Sequence, residues 1–418
     1  MKNNLFWVSL FLLCGVSVSS CNQTSNIPFT EEPAEEEPDV PVVDTIPPES
    51  FHSIEQTKYL LDEWDSIENY AAGIEELSYP YGNVFNYEHK DAKILQLSLS
   101  ETFDEYRLFN IEGLDHARIR NLYNDTTYYY RLWNDLKFEG DPVEEGSLHT
   151  DNVLPRNCYV EPADLTSHYV TNVRDLGGYP SSLGGKVKQG LMYRGGRLTG
   201  GKTITYTYDE SGALISTKEG KIAPCYSAAG LNTLVNTLGI KHEIDLRFGE
   251  RTQTYNDAGQ LVSEHIENGG RTEGDTLIPG ITGHPISINS SETDFIRGAD
   301  GKNNGEEYIR KFFTYLGNEN NYPMYIHCYI GTDRTGALCY LALAVLGVSS
   351  ESLVRDYLFS NFGNIGGSRN PYAIKNIYEP ALNAFNKGSL AANAEAYLLS
   401  IGVSQGQIDA FRAKMIEQ

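Results

Sequence analysis

The chain has 418 residues, of which 40% are hydrophobic, and a formal net charge of −23. This length is enough for two or three domains, and the hydrophobic fraction is that of a packed globular protein, which excludes disorder throughout. The negative charge argues against a nucleic-acid partner, because nucleic acids are bound through clustered lysine and arginine.

The first twenty residues have the composition of an export signal. MKNN carries one positive charge, and the apolar run LFWVSLFLLCGVSVSS ends in small residues. The run is short for a membrane span, which needs ~20 apolar residues. Residues 18–21, Val-Ser-Ser-Cys, resemble a bacterial lipoprotein signal. We therefore predict a signal peptide over residues 1–20, lipidation of Cys21 and anchoring at the outer membrane or cell surface; an ordinary secretory signal is the alternative.

Two segments of different texture follow. Residues 21–50 are rich in proline and glutamate, a composition that cannot bury a core, and they are predicted to form an extended tether. Residues 51–152 alternate between apolar and polar positions, as in AKILQLSLS, and predict a small antiparallel β-sandwich. LYNDTTYYYRLW resembles the penultimate-strand region of fibronectin type III-like domains. Its aromatic residues are interpreted as core rather than as a sugar-binding face.

Strand and helix signals alternate over residues 155–418. HEIDLRF (242–248) and YPMYIH (322–327) are predicted buried strands, and TGALCYLALAVLG (335–347) is a helix apolar on every side. Serine-capped amphipathic helices are predicted in the C-terminal third. The pattern predicts an α/β catalytic domain whose central sheet is flanked by helices.

Two segments of this region share the pattern Tyr-x-x-x-Gly-x-Leu-x-Ser: YDESGALIS (208–216) and YNDAGQLVS (255–263). Both carry turn-forming residues between strand-like flanks, so each is predicted to be a β-hairpin. We interpret them as insertions beside the active-site cleft that restrict substrate access.

The stretch HCYIGTDRTG, residues 327–336, follows one predicted strand directly and leads into the apolar helix. Backbone N–H groups of such a loop can point inward together, and the helix N-terminus adds positive charge. Glycine permits the close approach that this requires, and Arg334 offers a planar fork for two phosphate oxygens. The predicted phosphate-binding amides belong to Tyr329, Ile330, Gly331 and Thr332.

Cys328 lies at the base of this predicted cup. Such an environment lowers a cysteine pKa from about 8.5 to about 3.5–7.5, and a thiolate facing a bound phosphate monoester is a nucleophile for phosphorus. The amides and Arg334 stabilise the charge that gathers on the phosphate oxygens. The chemistry predicted is hydrolysis of phosphate monoesters through a cysteinyl-phosphate. No cofactor or metal is predicted, since the nine histidines show no His-Glu-x-x-His spacing.

At these residues the chain resembles the cysteine-based protein-tyrosine phosphatases, most closely the bacterial tyrosine/serine phosphatase branch. The resemblance extends to TNVRDLGGYPSSLGGKVKQGLMYRGGRL (171–198), IDLRFGER (244–251) and LGVSSESLVRDYLFSN (346–361). It implies Cys328 as the nucleophile and Arg334 as the phosphate clamp. It also implies that His327 supports the thiolate and that the Thr335 hydroxyl, followed by Gly336, eases departure of the thiolate in the second step.

The general acid has two candidates. The resemblance implies Asp333, because this branch carries its acid just before the arginine. The adjacent Arg334 disfavours the protonated form of that carboxyl, however. Asp294 follows a predicted strand at the place where other tyrosine phosphatases carry an acid on a separate loop. We favour Asp333 and keep Asp294 as the alternative.

The resemblance also bears on the substrate. The branch usually has lysine where this chain has Thr332, and a missing cation disfavours polyphosphorylated substrates. We therefore predict a protein-tyrosine phosphatase, with dual specificity possible, acting on phosphorylated proteins, peptides or small phosphomonoesters. The alternatives are a phosphoinositide or inositol-phosphate phosphatase and a non-catalytic surface-binding lipoprotein. The sequence sets neither the physiological substrate nor the oligomeric state.

Several other residues are predicted to support the site. Arg174, Asp175 and Arg247 are interpreted as buried partners that brace the loop. Cys158 or Cys225 is a candidate for a reversible disulfide with Cys328, because exported proteins permit disulfides.

Overall fold

The protein is described here as a computed structural model. It covers residues 43–45, 82–163, 170–200, 202–220, 222–248, 250–268, 278–288, 305–363, 365 and 369–417. These residues belong to one compact unit. The predicted signal peptide, Cys21 and Asp294 lie outside the described residues.

The described part of the N-terminal region, residues 43–45 and 82–152, forms strands. They are β1 (Val43–Thr45), β2 (Asn83–Phe85), β3 (Ile94–Ser98), β4 (Arg107–Asn110), β5 (Ala117–Ile119), β6 (Thr127–Trp133) and β7 (Glu144–His149). Five of them form a sheet in the order β1-β4-β3-β6-β7, and β2 pairs with β5. Apolar side chains from both sheets, such as Phe85 and Leu95, share one buried cluster. The likeness to fibronectin type III domains is not confirmed.

The first strand lies within the segment interpreted as a tether. Residues 43–45 pair in parallel with β4, and Asp44 accepts a hydrogen bond from Arg107 at 3.1 Å. The proline-rich composition of this segment does not predict a strand. Three residues added at the edge of a sheet need no apolar alternation of their own, so sequence pattern gives no signal for them. The sheet therefore begins before residue 50.

The C-terminal region has a second five-stranded sheet with helices. Its strands β8 (Arg174–Asp175), β9 (Met192–Gly195), β12 (His242–Asp245), β15 (Thr282–Pro285) and β16 (Met324–His327) take the order β15-β12-β16-β9-β8. All neighbours are parallel except β8 and β9. The α-helices are α1 (Ala228–Asn232), α2 (Glu306–Leu316), α3 (Asp333–Val345), α4 (Ser350–Phe359), α5 (Glu379–Asn383), α6 (Leu390–Ser400) and α7 (Gln405–Met415). Short 3₁₀ turns lie at Glu319–Asn321 and Ser360–Phe362, and π-helical turns at Thr233–Thr237 and Ile374–Tyr378.

Burial explains why the central elements form. All four residues of β16 are buried, and α3 is buried continuously from Thr335 to Val345. A strand covered on both faces and a helix covered on every side need continuous apolar runs, as the sequence has here. The predicted α/β architecture of this region is confirmed in this coarse form.

The two predicted hairpins are present and join each other. β10 (Lys202–Tyr208) pairs with β11 (Leu214–Glu219), and β13 (Glu250–Tyr255) pairs with β14 (Leu261–Asn268). Antiparallel pairing of β10 with β14 makes one four-stranded sheet. None of the described residues in these strands belongs to the buried hydrophobic core.

Candidate active site

The stretch from His327 to Gly336 lies at the carboxyl edge of the second sheet. His327 ends β16 and is in register with Asp245 of β12 and with Gly195 of β9. The loop therefore starts where three parallel strands end together, and α3 begins at Asp333. The helix starts two residues before the predicted Thr335.

The carbonyl groups of the loop are tied outward. Each carbonyl of residues 328–332 accepts at least one hydrogen bond from a group outside the cup. The donors and their acceptors are His327 Nδ1 and Cys328 O (2.9 Å), Arg197 N and Tyr329 O (3.1 Å), Asn172 Nδ2 and Ile330 O (3.4 Å), Arg194 Nη2 and Gly331 O (2.9 Å), and Gly336 N and Thr332 O (2.8 Å). Because a peptide unit is planar and trans, each following N–H points the opposite way. The amides of residues 329–333 thus face the concave side, which is the arrangement that an oxyanion needs.

A buried ion network holds those donors. Asp356 on α4 accepts from Arg174 Nε at 2.7 Å and from Arg194 Nη1 at 2.6 Å. Arg174 in turn donates to the carbonyl of Asn172 at 3.1 Å and to its side-chain oxygen. Burial alone would raise the pKa of Asp356, but the two guanidinium charges hold it below its usual value. The network places Arg194 and Asn172 against the back of the loop.

Gly331 is required at its position for two reasons. Its φ is +71°, a conformation that side chains with a Cβ disfavour. A Cβ there would also lie 2.0 Å from the carbonyl oxygen of Gly195. The loop and the end of β9 therefore approach more closely than any other residue at 331 allows.

Cys328 is 2% exposed and has the properties of an activated thiol. Burial alone would raise its pKa, but the charge of Arg334 and the hydroxyl and backbone N–H of Thr335 together outweigh burial, so the pKa is lowered. Thr335 Oγ1 is buried and makes no hydrogen bond of ordinary geometry within the described part of the chain, so its effect on the thiol is electrostatic rather than a fixed contact. Its hydroxyl is thus not committed to another group there, and its role in departure of the thiolate stays a prediction.

His327, which directly precedes the predicted nucleophile Cys328, is fully buried. Its Nδ1 donates to Cys328 O, because a carbonyl can only accept, and its Nε2 lies 2.8 Å from Glu243 Oε1. Asp245 lies 3.9 Å from Nδ1. The imidazole therefore fixes the first carbonyl of the loop and is itself fixed by a carboxylate of the neighbouring strand.

Arg334 lies beside the cup mouth with two anchors. Its Nη1 donates to the carbonyls of Leu246 (3.2 Å) and Ile288 (3.1 Å), and its guanidinium lies 5.3 Å from the centre of the Tyr329 ring. The Tyr329 hydroxyl donates to Phe248 O at 3.1 Å. The strand ends around β12 therefore orient the predicted phosphate clamp.

Asp333 is engaged by an arginine that the sequence did not suggest. Arg369 Nε lies 2.6 Å from Asp333 Oδ1, and Nη2 lies 2.8 Å from Oδ2. The other candidate acid, Asp294, lies outside the described residues.

The remaining predicted supports have different roles. Arg247 donates from Nε to Asp245 Oδ1 at 2.9 Å and from Nη1 to Thr199 O at 2.6 Å, so it ties the end of β12 to the chain after β9. Asp175 pairs with Arg156 at 2.5 Å and does not contact the loop in any hydrogen bond that the structure describes. Of the predicted braces, Arg174 contacts Asn172 and Asp356 behind the loop, and Arg247 contacts Asp245, which lies beside His327.

The four cysteines within the described chain are free thiols. Cys158 and Cys225 belong to one hydrophobic cluster, whereas Cys328 and Cys339 belong to another. Burial raises the pKa of Cys158 and of Cys339 to about 12. Low reactivity follows for both, and the predicted disulfide with Cys328 is not formed.

Sequence reasoning missed five residues of the site. They are Asn172, Arg194, Glu243, Asp356 and Arg369. One signal was available for three of them, because a charge inside an otherwise apolar strand or on the apolar side of a helix indicates a buried ion pair. Arg194 in LMYRGG, Glu243 in HEIDL and Asp356 in LVRDYLF have that character.

An activated thiol beneath a ring of inward amides, with an arginine at the mouth, defines a site for nucleophilic attack on a tetrahedral oxyanion. The model of the tyrosine phosphatase family matches residues 165–204 and 222–417. This is more than half of the 418 residues, and the chain belongs to that family. The interval between the matched segments covers most of the first hairpin. The bacterial tyrosine/serine branch stays a prediction.

One curated protein and one solved structure match parts of this chain. A Cupriavidus necator protein, named by inference as a tyrosine-protein phosphatase, is 26% identical over 221 residues. The match covers 48% of this chain and 64% of that protein, so the chain spans less than two thirds of the relative's length. The core catalytic domain of the PP-IP phosphatase SIW14 from S. cerevisiae, solved with citrate, is 15% identical over 38% of this chain and 82% of that chain, with a TM-score of 0.23.

Proposed function

We propose that the protein is a cysteine-dependent phosphatase of phosphomonoesters, with phosphotyrosine in proteins or peptides as its main substrate and dual specificity as an extension. In the first step the Cys328 thiolate attacks phosphorus, the bond to the leaving oxygen breaks, and Asp333 supplies the proton to that oxygen. In the second step water attacks phosphorus, the P–S bond breaks, and the water proton returns to the Asp333 carboxylate. Cys328 leaves as a thiolate that Thr335 stabilises.

One observation supports this proposal above the others. The carbonyls of residues 328–332 are held outward by partners from β9, β16 and α3 and from the segments before β8 and after β9. A preorganised ring of donors stabilises charge in the transition state without reorganisation. A loop retained only for structure does not need a thiol of lowered pKa at its base.

Phosphotyrosine is favoured over inositol phosphates for a local reason. Thr332 occupies the place of the usual lysine, and its hydroxyl lies 3.5 Å from Asn172 Nδ2 and 3.4 Å from Ile330 O. The side chain therefore faces the support of the loop and adds no cation to the cup. Polyphosphorylated substrates, which need additional cations, are the less favoured class.

The test is hydrolysis of a chromogenic aryl phosphate by wild type, Cys328→Ser and the control Cys339→Ala. We expect Cys328→Ser to lose activity by a factor of 10³ or more, on the order of other nucleophile losses. Cys339→Ala changes the other buried thiol of the same cluster and should retain activity. Equal rates in wild type and Cys328→Ser would falsify the enzymatic proposal. The non-catalytic surface-binding protein would then be the remaining hypothesis. A panel of phosphotyrosine peptides, phosphoserine peptides, phosphoinositides and phytate then separates the substrate classes.

We also propose that the chain is exported, lipidated at Cys21 and tethered by the acidic segment that starts at residue 21, with a β-domain that takes in β1 (Val43–Thr45) and extends to residue 152, and a phosphatase domain (155–418). Within the described residues no helix is both long and apolar enough to cross a bilayer. Labelling of cells with an alkyne fatty acid tests the anchor. Wild type should be labelled and Cys21→Ala should not; equal labelling would contradict lipidation at this cysteine.

A further inference from the structure

The ion pair between Asp333 and Arg369 joins the first residue of α3 to the chain beyond α4. Arg369 Nε lies 2.6 Å from one carboxylate oxygen of Asp333 and Nη2 lies 2.8 Å from the other. The planar guanidinium therefore binds the carboxylate through both oxygens. The two side chains are partly exposed, at 22% for Arg369 and 34% for Asp333. A single exposed ion pair contributes little to the free energy of unfolding. The effect of this pair therefore lies in how it orients the two side chains.

Arg369 is held in place by its own backbone. Asn361 Oδ1 accepts from Arg369 N at 2.6 Å, and Asn361 Nδ2 donates to Arg369 O at 2.8 Å. Asn361 is 3% exposed, so this support is part of the folded core. An arginine whose backbone is fixed loses less side-chain freedom when it forms a bidentate pair. The hydrogen bonds from Asn361 to the backbone of Arg369 thus hold the guanidinium close to Asp333.

The position of Asp333 makes its charge consequential. Arg334 follows Asp333 on the same helix, and Arg369 faces Asp333 from the segment after α4. The charge of Asp333 also acts on the Cys328 sulfur in the loop. The negative charge of Asp333 opposes ionisation of the Cys328 thiol. A bound phosphate dianion would meet the same repulsion. An arginine on both carboxylate oxygens offsets this repulsion and fixes the plane of the carboxyl group.

We propose that Arg369 is a positioning residue for Asp333, which orients its carboxyl group at the rim of the cup and neutralises its charge toward the Cys328 thiolate and the substrate phosphate. The assignment rests on the proposed function where it concerns proton transfer by Asp333. Its effect on the thiolate does not, because ionisation of Cys328 is measured without turnover.

The first test is the pH dependence of iodoacetamide alkylation at Cys328, followed by mass spectrometry. Arg369→Gln should move the titration to higher pH by about half a unit, because the charge of Asp333 is no longer offset. Asp333→Asn should move it to lower pH, and the double variant should behave like Asp333→Asn. Arg369→Lys should restore part of the shift, since an ammonium supplies charge without the fork. A double variant that keeps the full shift of Arg369→Gln overturns the proposal.

The second test is the pH profile of kcat/KM for an aryl phosphate. If Asp333 is the acid, Arg369→Gln should move the basic limb upward by about one unit and lower the plateau tenfold or more, because orientation is lost. The control is Arg412→Gln, which breaks a partly buried pair with Glu395 at 2.6 Å and should leave the profile unchanged. Loss of activity in Arg369→Gln with an unmoved limb and unmoved alkylation indicates a merely structural role and overturns the proposal. Absence of Cys328-dependent activity in wild type contradicts the proposed function instead.

Discussion

Replacement of Gly331 by alanine is the sharpest single test of the cup. The new Cβ would lie 2.0 Å from the carbonyl oxygen and 2.8 Å from the Cα of Gly195. The strand cannot move away easily, because a Cβ placed on Gly195 would itself meet the Tyr325 hydroxyl at 2.1 Å. The residue at 195 is thus packed between the loop and Tyr325. To restore an ordinary contact of about 3.5 Å, the loop itself must retreat by about 1.5 Å, and even the shortest tolerated contact of about 3 Å requires a retreat of about 1 Å.

The expected cost has two parts. A non-glycine residue at a φ of +71° costs about 1–2 kcal/mol, and overpacking adds about 1–3 kcal/mol. We therefore expect Gly331→Ala to lower the free energy of unfolding by about 2–5 kcal/mol, as measured by urea denaturation. A displacement of about 1 Å in a catalytic group lowers rates by about 10²-fold, so kcat/KM for an aryl phosphate should fall by that factor.

Gly113→Ala is the matched control. Gly113 has a φ of +76°, and nothing lies within 4 Å of its Cβ position. It shares the backbone strain of Gly331 without the clash, so it should lose only about 1–2 kcal/mol and keep full activity. If Gly331→Ala matched this control in stability and stayed within threefold of wild type in kcat/KM, the close approach to Gly195 would not be what positions the amides.

Three further outcomes are expected. Asp356→Asn leaves two buried guanidinium groups without their carboxylate and should lower the free energy of unfolding by about 3–5 kcal/mol in urea; a loss below about 1 kcal/mol would show that the pair behaves as an exposed one. Because its pKa is lowered, Cys328 keeps its thiolate as pH falls below the usual thiol range, so iodoacetamide at pH 7 should modify Cys328 and spare Cys339; equal labelling of both would contradict the assignment. Arg156→Met strands the buried carboxyl of Asp175 and should cost about 3–5 kcal/mol, with a thermal shift as the readout; an unchanged melting temperature would refute it.

The position of the loop between β16 and α3 could be predicted from sequence because its signals are local. Cys328, Gly331 and Arg334 lie within one short stretch, and the apolar runs on either side specify the strand and the helix that position it. The hairpins were readable for the same reason, since their turn residues and alternation are contiguous. Local pattern did not predict that β10 pairs with β14, because that pairing depends on where the chain returns in space.

The residues that support the loop could not be assigned from sequence, because they are remote from it along the chain. Asn172 and Arg194 reach the loop from segments more than a hundred residues away, and Asp356 joins them from a helix beyond it. A buried charge is visible as an anomaly in the sequence, but its partner is defined only by packing. Asp175 shows the converse error: its pairing as a buried carboxylate was expected correctly, but its partner Arg156 ties it to the N-terminal region rather than to the loop.

That pairing bears on why the N-terminal strands and the phosphatase region belong to one unit. Arg156 donates from Nε to Leu122 O at 2.8 Å and from Nη2 to Asn121 O at 2.9 Å, while its Nη1 holds Asp175. Asp175 follows Arg174, which holds Asn172 and Asp356 behind the loop. The contact with the β-domain, through Asp175, is thus adjacent in sequence to Arg174, which supports the loop.

A charge of −23 would repel a phosphate if the whole molecule acted on it, yet the site requires only its immediate surroundings. Exposed charges beyond about 8 Å are largely screened at physiological ionic strength, whereas the proposed site would place the loop amides, the helix N-terminus and Arg334 in direct contact with a bound anion. Asp333 directly precedes the predicted arginine clamp, and Arg369 binds both of its oxygens. Local neutralisation therefore reconciles an acidic protein with an anionic substrate.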